Sequence, residues 1–183
     1  LDETPVGESN ANGRAEDAGK RVRDQARVLK DQVEHKCGGK VDLGSDVMQW
    51  LVRWAAMVVT RYKRGSDGRT PWERMRGSRC KAEVVPFGET VWYKVMKKSG
   101  ERQNKMEPRW EEGIWMGHMG RTEEAVIGTS EGVVKAWAVR RKPEGERWEL
   151  ERIGRVRGTP EEPVPGMGAE ESTIEDSSGV WRR

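Results

Sequence analysis

Cysteine and histidine are scarce in this chain of 183 residues, which contains two of each. Cys37 and Cys80 are too few and too far apart in sequence to form a disulfide framework. Together with His35 and His118, they show none of the closely spaced pairs that bind zinc. These absences favour reduced thiols in an intracellular protein.

Long apolar runs are also missing. No stretch approaches the roughly 18 to 20 apolar residues that a helix needs to cross a bilayer. The N-terminal stretch lacks a charged region followed by an apolar one, the pattern of a secretory signal. We therefore expect a soluble, unexported protein with no membrane partner.

Apolar side chains are used sparingly, because they make up 34% of the residues against 36% that are charged. With 22 Gly and 8 Pro, this composition predicts small cores and many turns. Phe and Tyr total only three, whereas there are nine Trp. We expect most Trp side chains to anchor the core, with the alternative that an exposed one stacks on a base.

The net charge of +3 conceals an acidic C-terminal stretch. Residues 158–178 hold six acidic residues and no Lys or Arg, so residues 1–157 carry a net +7. A basic body permits contact with a polyanion, but acidic residues are interleaved with the basic ones. Charge alone therefore does not identify a nucleic-acid-binding protein.

Three helices are predicted in the first part of the chain. Apolar residues at helical spacing from Ala15 to Val33 predict a first helix, which starts after the Asn12-Gly13 turn signal and ends at Cys37. Glu16 then lies in its first turn, where the helix dipole favours negative charge. A second helix is predicted over 46–64, and a capping box at Thr70 predicts a short third helix that ends at Gly77.

The period changes after residue 79 to short β-like runs separated by turns containing Gly. Five strands are predicted, within AEVVPFG, TVWYKVM, GIWMGHM, AVIGT and VVKAWAVRR, and they suggest a small antiparallel barrel. Its predicted core or wall residues are Val91, Trp92, Val95, Ile114, Trp115, Val126, Ile127, Val134 and Trp137. The fold class is therefore α+β, with helices in 1–77, a barrel in 78–142, and a linker with an acidic disordered tail in 143–183.

Four motifs in order resemble the integrases of copia-like retrotransposons. Asn12-Gly13-Arg14-Ala15-Glu16 resembles the N-G-x-x-E motif of the catalytic core, and DGRTPWERMRG is similar to the G-x-T-P-[YW]-E-x-x-x-G segment that closes it. PFGETVWYKV, Lys105 and EEGIWMGHM resemble the F-G, K and G-[IF]-[FW]-[LM]-G positions of a small SH3-like barrel. RGTPEEPVPG resembles the Pro-rich segment that leads towards the reverse transcriptase.

The resemblance implies a residue-specific function in DNA integration. Glu16 would be the third carboxylate of the D, D, E catalytic set, ligating one of two Mg²⁺ (or Mn²⁺) ions that activate the attacking oxygen and stabilise the leaving one. Lys20 and Arg23 would contact the DNA end of the retroelement, and the same basic line continues through Arg27 and Lys30. Asn12, Lys97, Lys98 and Lys105 complete the candidate nucleic-acid-binding residues.

The first two carboxylates of that set cannot lie at family spacing within the 15 residues that precede Glu16. The helices would then be the remnant of an RNase H-like core whose upstream segment carries the two Asp. We therefore expect this chain alone to bind no metal ion stably and to be catalytically inert. The expected partners are DNA, that upstream segment and further copies of the chain, and the expected compartment is the nucleus.

The alternative hypothesis is a non-enzymatic SH3-like module that binds nucleic acid or protein. Glu16 would then serve only helix-terminus electrostatics, and the basic line would be a solvated helix face. Further cations in the predicted barrel are candidates for polyanion contact, with an ordinary charged surface as the other interpretation: Lys94, Lys97, Lys98, Arg102, Lys105, Arg109, Lys135, Arg140, Arg141 and Lys142.

Overall fold

The computed structural model describes residues 9–95, 109–120 and 122–166, and within these the side chains of residues 9–12 and 14 are not described. The order of elements is α1 (Ser9–Cys37), α2 (Asp46–Tyr62), α3 (Pro71–Arg76), β1 (Thr90–Lys94), β2 (Trp110–His118), β3 (Ala125–Gly128), β4 (Val133–Ala136), β5 (Val139–Arg141), a 3₁₀ turn (Glu144–Glu146) and α4 (Leu150–Gly154). The chain is thus α+β, as predicted. None of the helices in the described ranges is long and apolar enough to span a membrane.

Helix α1 begins earlier than predicted, because Asn12 and Gly13 lie inside it rather than in a turn. An Asn-Gly pair forms a tight turn most readily between two strands, and a helix follows here instead. A helix interior accommodates Gly at a cost of about 1 kcal/mol. Glu16 consequently lies about two turns inside the helix and not in its first turn, so the predicted interaction with the helix terminus is wrong.

Helix α1 packs mainly through its second half, and Val22 is the first of its described apolar residues to contact the core. Leu29 and Val33 are buried, whereas Ala15 and Ala18, which belong to the predicted apolar stripe, are exposed. Two small methyl groups bury little apolar area, and α2, with 17 residues against 29 in α1, is too short to cover the whole helix. The first half of α1 therefore projects from the body of the protein.

Helix α2 connects α1 to the sheet. It has the predicted start and ends two residues earlier than predicted, and it buries Trp50, Leu51 and Trp54. Trp54 meets Trp115 of β2 edge to face, with ring centroids 5.0 Å apart, a geometry that aromatic pairs favour. Both helices and the sheet contribute to one cluster of buried side chains, as expected for helices that pack on each other and on the strands.

The five strands form one antiparallel sheet in the order β4-β3-β2-β1-β5. The predicted first strand, AEVVPFG, is not a strand: Pro86 has no N–H to donate and Gly88 adopts a φ of +86°, so the chain turns here. Val85 and Phe87 from this turn are nevertheless buried in the core. The predicted last strand is divided into β4 and β5.

Strands β4 and β5 are separated by only Trp137 and Ala138, yet they form opposite edges of the sheet. In a flat sheet those edges would be about 19 Å apart, at roughly 4.8 Å between neighbouring strands. The three Cα–Cα steps from Ala136 to Val139 span at most about 11 Å. The sheet must therefore curl strongly, but within the described residues β4 and β5 do not pair with each other, so the predicted closed barrel is not found.

The described residues that follow β5 pack on the body, so the prediction of a linker after Arg141 is wrong up to residue 166. Ile153 and Val156 are almost completely buried in the shared core, and the N–H of Val133 donates a hydrogen bond of 2.8 Å to the carbonyl oxygen of Pro163. The division of the chain at residues 77 and 142 stays a prediction.

The predicted core is largely confirmed. Val91, Ile114, Trp115, Val126 and Ile127 are buried, and Trp92, Val95 and Val134 are half-buried. The prediction that Trp137 is a core or wall residue is wrong, because 63% of its surface is exposed. It lies between the two edge strands, where the chain crosses from one edge of the sheet to the other.

Candidate nucleic-acid interface

The predicted basic line lies on α1, at steps that place its members along one side of the helix. Lys20, Arg23 and Arg27 are exposed and Lys30 is half-buried. Arg27 already pairs with Asp24 at 2.8 Å, and Lys30 pairs with Glu34 at 2.5 Å. Within the described part of the chain, Lys20 and Arg23 form no ion pair. The line therefore presents fewer available cations than its sequence suggests.

Lys30 has a structural role. The buried carboxylate of Glu34 accepts hydrogen bonds from Lys30 at 2.5 Å, from Lys40 at 3.0 Å and from the backbone N–H of Val41 at 2.9 Å. The Lys30 ammonium, followed by the Val41 N–H, lowers the pKa of Glu34 to about 2. These contacts join the end of α1 to the loop that leads into α2, and they leave Lys30 less available for DNA than Lys20 or Arg23.

Glu16 is exposed on the projecting half of α1. Among the described residues, no group of three or more His, Cys, Asp or Glu side chains is arranged to hold a metal ion. The residues present do not fit a two-metal site, because Mg²⁺ requires several converging oxygen ligands. Asn12 lies in the same helix, and its side chain is not described.

The candidates in the sheet region fall into three groups. Lys97, Lys98, Arg102 and Lys105 lie outside the described residues. A second group already contacts other side chains of the fold: Lys142 is buried beside Glu112 at 2.9 Å, and Arg141 binds the fully buried Glu89 through two bonds of 2.7 Å. Arg140 stacks on Trp110 at 4.6 Å. In the third group, Lys94 and Arg109 are exposed and Lys135 is half-buried.

A stronger concentration of positive charge lies in residues 61–81, which we call the basic loop. It contains eight basic residues and two acidic ones, a net +6, so the other 162 residues together carry −3. All of its cations except Arg61 are exposed. Lys and Arg recur along this stretch of the sequence, so a running sum of charge along the chain identifies the basic loop.

The two acidic residues of the basic loop are already paired. Asp67 accepts two hydrogen bonds from Arg74, at 2.6 and 3.0 Å, and Glu73 accepts one from Arg79 at 3.0 Å. The Arg74 guanidinium is the largest cause that lowers the pKa of Asp67, to about 2, so this carboxylate stays ionised and bound to Arg74. Five exposed cations form no ion pair with any described residue: Lys63, Arg64, Arg69, Arg76 and Lys81.

Helix α3 gives the basic loop its shape. The hydroxyl of Thr70 accepts a hydrogen bond from the Glu73 N–H, and the Glu73 carboxylate accepts one from the Thr70 N–H, which confirms the predicted capping box. Gly77 then ends the helix with a φ of +73°. Such a rigid turn holds the flanking cations on a defined surface.

The ends of the basic loop meet each other. The Tyr62 hydroxyl, at the end of α2, lies 3.5 Å from the carbonyl oxygen of Ala82 and 3.7 Å from the Cys80 sulfur. Burial, followed by the contact with Cys80, raises the pKa of Tyr62 to about 12, so the hydroxyl stays protonated. A compact surface loop with joined ends is a frequent location of binding residues.

Trp72 organises two arginines of the basic loop. The guanidinium carbons of Arg61 and Arg76 lie 4.9 and 5.1 Å from its ring centroid, within cation–π range. Arg61 is buried and donates one hydrogen bond to the carbonyl oxygen of Met119, while its Nε and Nη1 have no partner among the described residues. Trp72 therefore positions these two arginines, and its ring is not free to stack on a nucleic-acid base.

Comparisons with known proteins identify no relative. No protein-family model, no curated protein and no solved structure matches this chain.

Proposed function

We propose that this chain binds nucleic acid through the exposed cations of the basic loop. The observation that carries the proposal is the segregation of charge, with a net +6 in residues 61–81 of a chain whose total is +3. Five of these cations have no acidic partner in the described structure. Exposed Lys and Arg on one surface attract phosphates and release condensed counterions, which gives sequence-independent affinity.

We also propose that the chain derives from a retrotransposon integrase and contributed to DNA integration in the nucleus. The support is that the integrase-like motifs occur in the family's order along the chain. The basic loop contains the whole DGRTPWERMRG segment, and GIWMGH forms most of β2. The strong curl of the sheet supports an SH3-like arrangement of its strands. Lys20 and Arg23 would extend the surface of the basic loop towards a DNA end, with Glu16 beside them as the remaining carboxylate.

DNA binding can be measured by fluorescence anisotropy with the full chain and a labelled duplex over a range of salt concentrations. Each phosphate contact contributes about −0.9 to the slope of log affinity against log salt, so five contacts give a slope between about −4 and −5. The double variant Arg64→Gln/Arg69→Gln should reduce the steepness of that slope by about 2 and lower the affinity at least about tenfold. Lys20→Gln/Arg23→Gln tests the contribution of α1 separately.

The matched control is Arg155→Gln/Arg157→Gln, which removes two exposed cations outside the basic loop and outside α1. This control should leave the salt slope unchanged. If it weakens binding as much as Arg64→Gln/Arg69→Gln does, then binding follows net charge and the assignment of the basic loop is wrong. Absence of salt-dependent binding by the unmodified chain would reject nucleic-acid binding altogether.

A further inference from the structure

A groove of about 900 Å³ is lined by residues 133–135 of β4 and by Trp137, which follows that strand, together with residues from the region of β1 and β2. The β3–β4 turn, residues 129–132, forms one end of the groove, together with Tyr93 and Glu111 from β1 and β2. Trp137 and Glu124 form the other end, because Ala125 pairs with Ala136 and the next pair of positions along is Glu124 and Trp137. The groove is therefore elongated, about as long as the roughly 13 Å between Val133 and Trp137.

Carboxylates line both ends of this groove. Glu111 and Glu131 are exposed at the turn end, and Glu124 is buried at the Trp137 end. In the described ranges, no Lys or Arg forms an ion pair with any of these three. Glu112 also lines the groove, but it is paired with Lys142. Lys135 is the one cation among the described lining residues, so these four carboxylates, three of them without an ion-pair partner in the described ranges, face one ammonium. The charge of the groove is opposite to that of the basic loop.

The environment of Tyr93 shows that the potential at the turn end of the groove is negative. Its hydroxyl donates a hydrogen bond of 2.8 Å to a carboxylate oxygen of Glu111. Burial, then the bond to Glu111, and then the charges of Glu111 and Glu131 raise the pKa of Tyr93. A cation would be stabilised here by the same carboxylates.

Trp137 supplies an apolar surface at the opposite end. Its side chain is 63% exposed although most large apolar side chains of the sheet are buried, and it lies beside the buried carboxylate of Glu124. One oxygen of that carboxylate accepts a hydrogen bond of 2.6 Å from the Thr122 hydroxyl. An exposed indole ring next to a carboxylate suits the apolar stem and the charged head of Lys or Arg.

The backbone of β4 can pair with an added strand. The Val133 N–H points away from β3 and donates to the carbonyl oxygen of Pro163. Because such groups repeat every two residues, the N–H of Lys135, a residue that also lines the groove, points away from β3 as well. Within the described part of the chain, nothing pairs with β4 at this edge beyond Val133. Edge strands of this kind bind extended peptides by adding a strand to the sheet.

We propose that this groove binds an extended, lysine- or arginine-bearing segment of another protein, paired in part with the edge of β4. One basic side chain of the segment stacks on Trp137 near Glu124, and another lies between Glu111 and Glu131. Charge complementarity favours this occupant over DNA, whose phosphates would meet the three carboxylates. The groove and the basic loop share no residues, so this binding and the proposed DNA binding can fail independently.

The probe is a short peptide in which Lys and Val alternate, with its affinity for the full chain measured by calorimetry and by Trp fluorescence. Trp137→Ala should weaken binding about twofold to fivefold, because a cation–π contact at an exposed site contributes about 0.5 to 1 kcal/mol. Glu111→Gln/Glu131→Gln should weaken it to a similar extent and reduce its salt dependence. Glu144→Gln/Glu161→Gln removes two exposed carboxylates outside the groove and should have no effect.

Two altered peptides separate the charge from the strand pairing. The same peptide with Glu in place of Lys should not bind, and the Lys peptide with methylated backbone nitrogens should bind more weakly than its parent. Glu111 and Glu131 are exposed and Gln retains the acceptor oxygen that Tyr93 needs, so circular dichroism should show that this variant folds. The proposal is wrong if the Lys peptide fails to bind, or if the groove variants and the Glu144/Glu161 control weaken its binding equally.

Discussion

Trp50 of α2 donates a hydrogen bond of 2.8 Å through its indole nitrogen to the carbonyl oxygen of Gly158, 108 positions later in the chain. The N–H of Gly158 donates a bond of 2.8 Å to the carboxylate of Asp46, in the first turn of the same helix. Both backbone groups of Gly158 are therefore bound by α2. This contact attaches the segment after α4 to the helices.

Replacement of Gly158 by Ala should be strongly destabilising. Gly158 has a φ of +90°, and a Cβ atom at this position would lie 2.0 Å from the carbonyl oxygen of Pro163. The left-handed backbone alone costs about 1 to 2 kcal/mol for a residue with a side chain, and the clash adds to it. We expect Gly158→Ala to lower the free energy of unfolding, measured by urea denaturation, by at least about 2 kcal/mol.

Gly145→Ala is the matched control, because no atom lies within 4 Å of a Cβ placed there and its φ is not positive. It should change the free energy of unfolding by no more than about 0.5 kcal/mol. Similar values for Gly145→Ala and Gly158→Ala would show that the backbone around Gly158 relaxes freely.

Glu89→Ala should also be destabilising. Glu89 is fully buried, and its carboxylate binds the Arg141 guanidinium through two bonds of 2.7 Å, with Arg147 at 3.6 Å. Removal of one partner from a fully buried ion pair costs about 3 to 5 kcal/mol. Because the Arg141 side chain is 39% exposed and water can solvate it, we expect a smaller loss of about 1 to 3 kcal/mol. Thermal and urea denaturation should show a loss of this size. The exposed Glu83→Ala serves as control, and a similarly small loss for both variants would contradict a structural role for the pair.

Glu34 should make the stability of the helical part depend on pH at the acidic end. Its pKa is lowered from 4.5 to about 2 in the folded chain, so the carboxylate binds protons more weakly there than in the unfolded chain. The stabilisation it provides is therefore complete above about pH 4.5, and it is lost as the pH falls towards 2. Urea denaturation between pH 5 and 2 should show this loss in the parent chain. In Glu34→Gln the contribution of this group should be absent, and an identical pH profile for the two proteins would refute the assignment.

Glu16 should have no metal-dependent effect in this chain. It is exposed and has no converging carboxylates among the described residues, so we expect no strand transfer on DNA ends with Mg²⁺ or Mn²⁺. Glu16→Gln should leave the urea denaturation curve unchanged, with and without Mg²⁺. Strand transfer by the purified chain that is abolished by Glu16→Gln would overturn this prediction.

The features of the candidate interface that could be predicted are those formed by residues close together in the sequence. The capping box that shapes the basic loop follows from Thr70, Pro71 and Glu73 alone, because its hydrogen bonds join residues three positions apart. The line from Lys20 to Lys30 also follows from helical spacing. The sequence could not predict that Lys30 is bound by the buried Glu34 and is therefore less available for DNA. The burial of Glu34 depends on how α1 packs against the loop before α2.

The sequence by itself determined the α+β class and the positions of α2 and α3, because short-range periodicity and turn residues dictate these features. The predicted number of strands agrees with the structure only because the absence of the AEVVPFG strand is offset by the division of VVKAWAVRR into β4 and β5. Only the tertiary structure decided that β4 and β5 form opposite edges of the sheet, that Trp137 is exposed, and that residues 142–166 pack on the body. These outcomes depend on hydrogen bonds and contacts between residues far apart in the chain, such as Trp50 with Gly158. No local pattern encodes such pairs, because each partner has many alternatives until the whole chain folds.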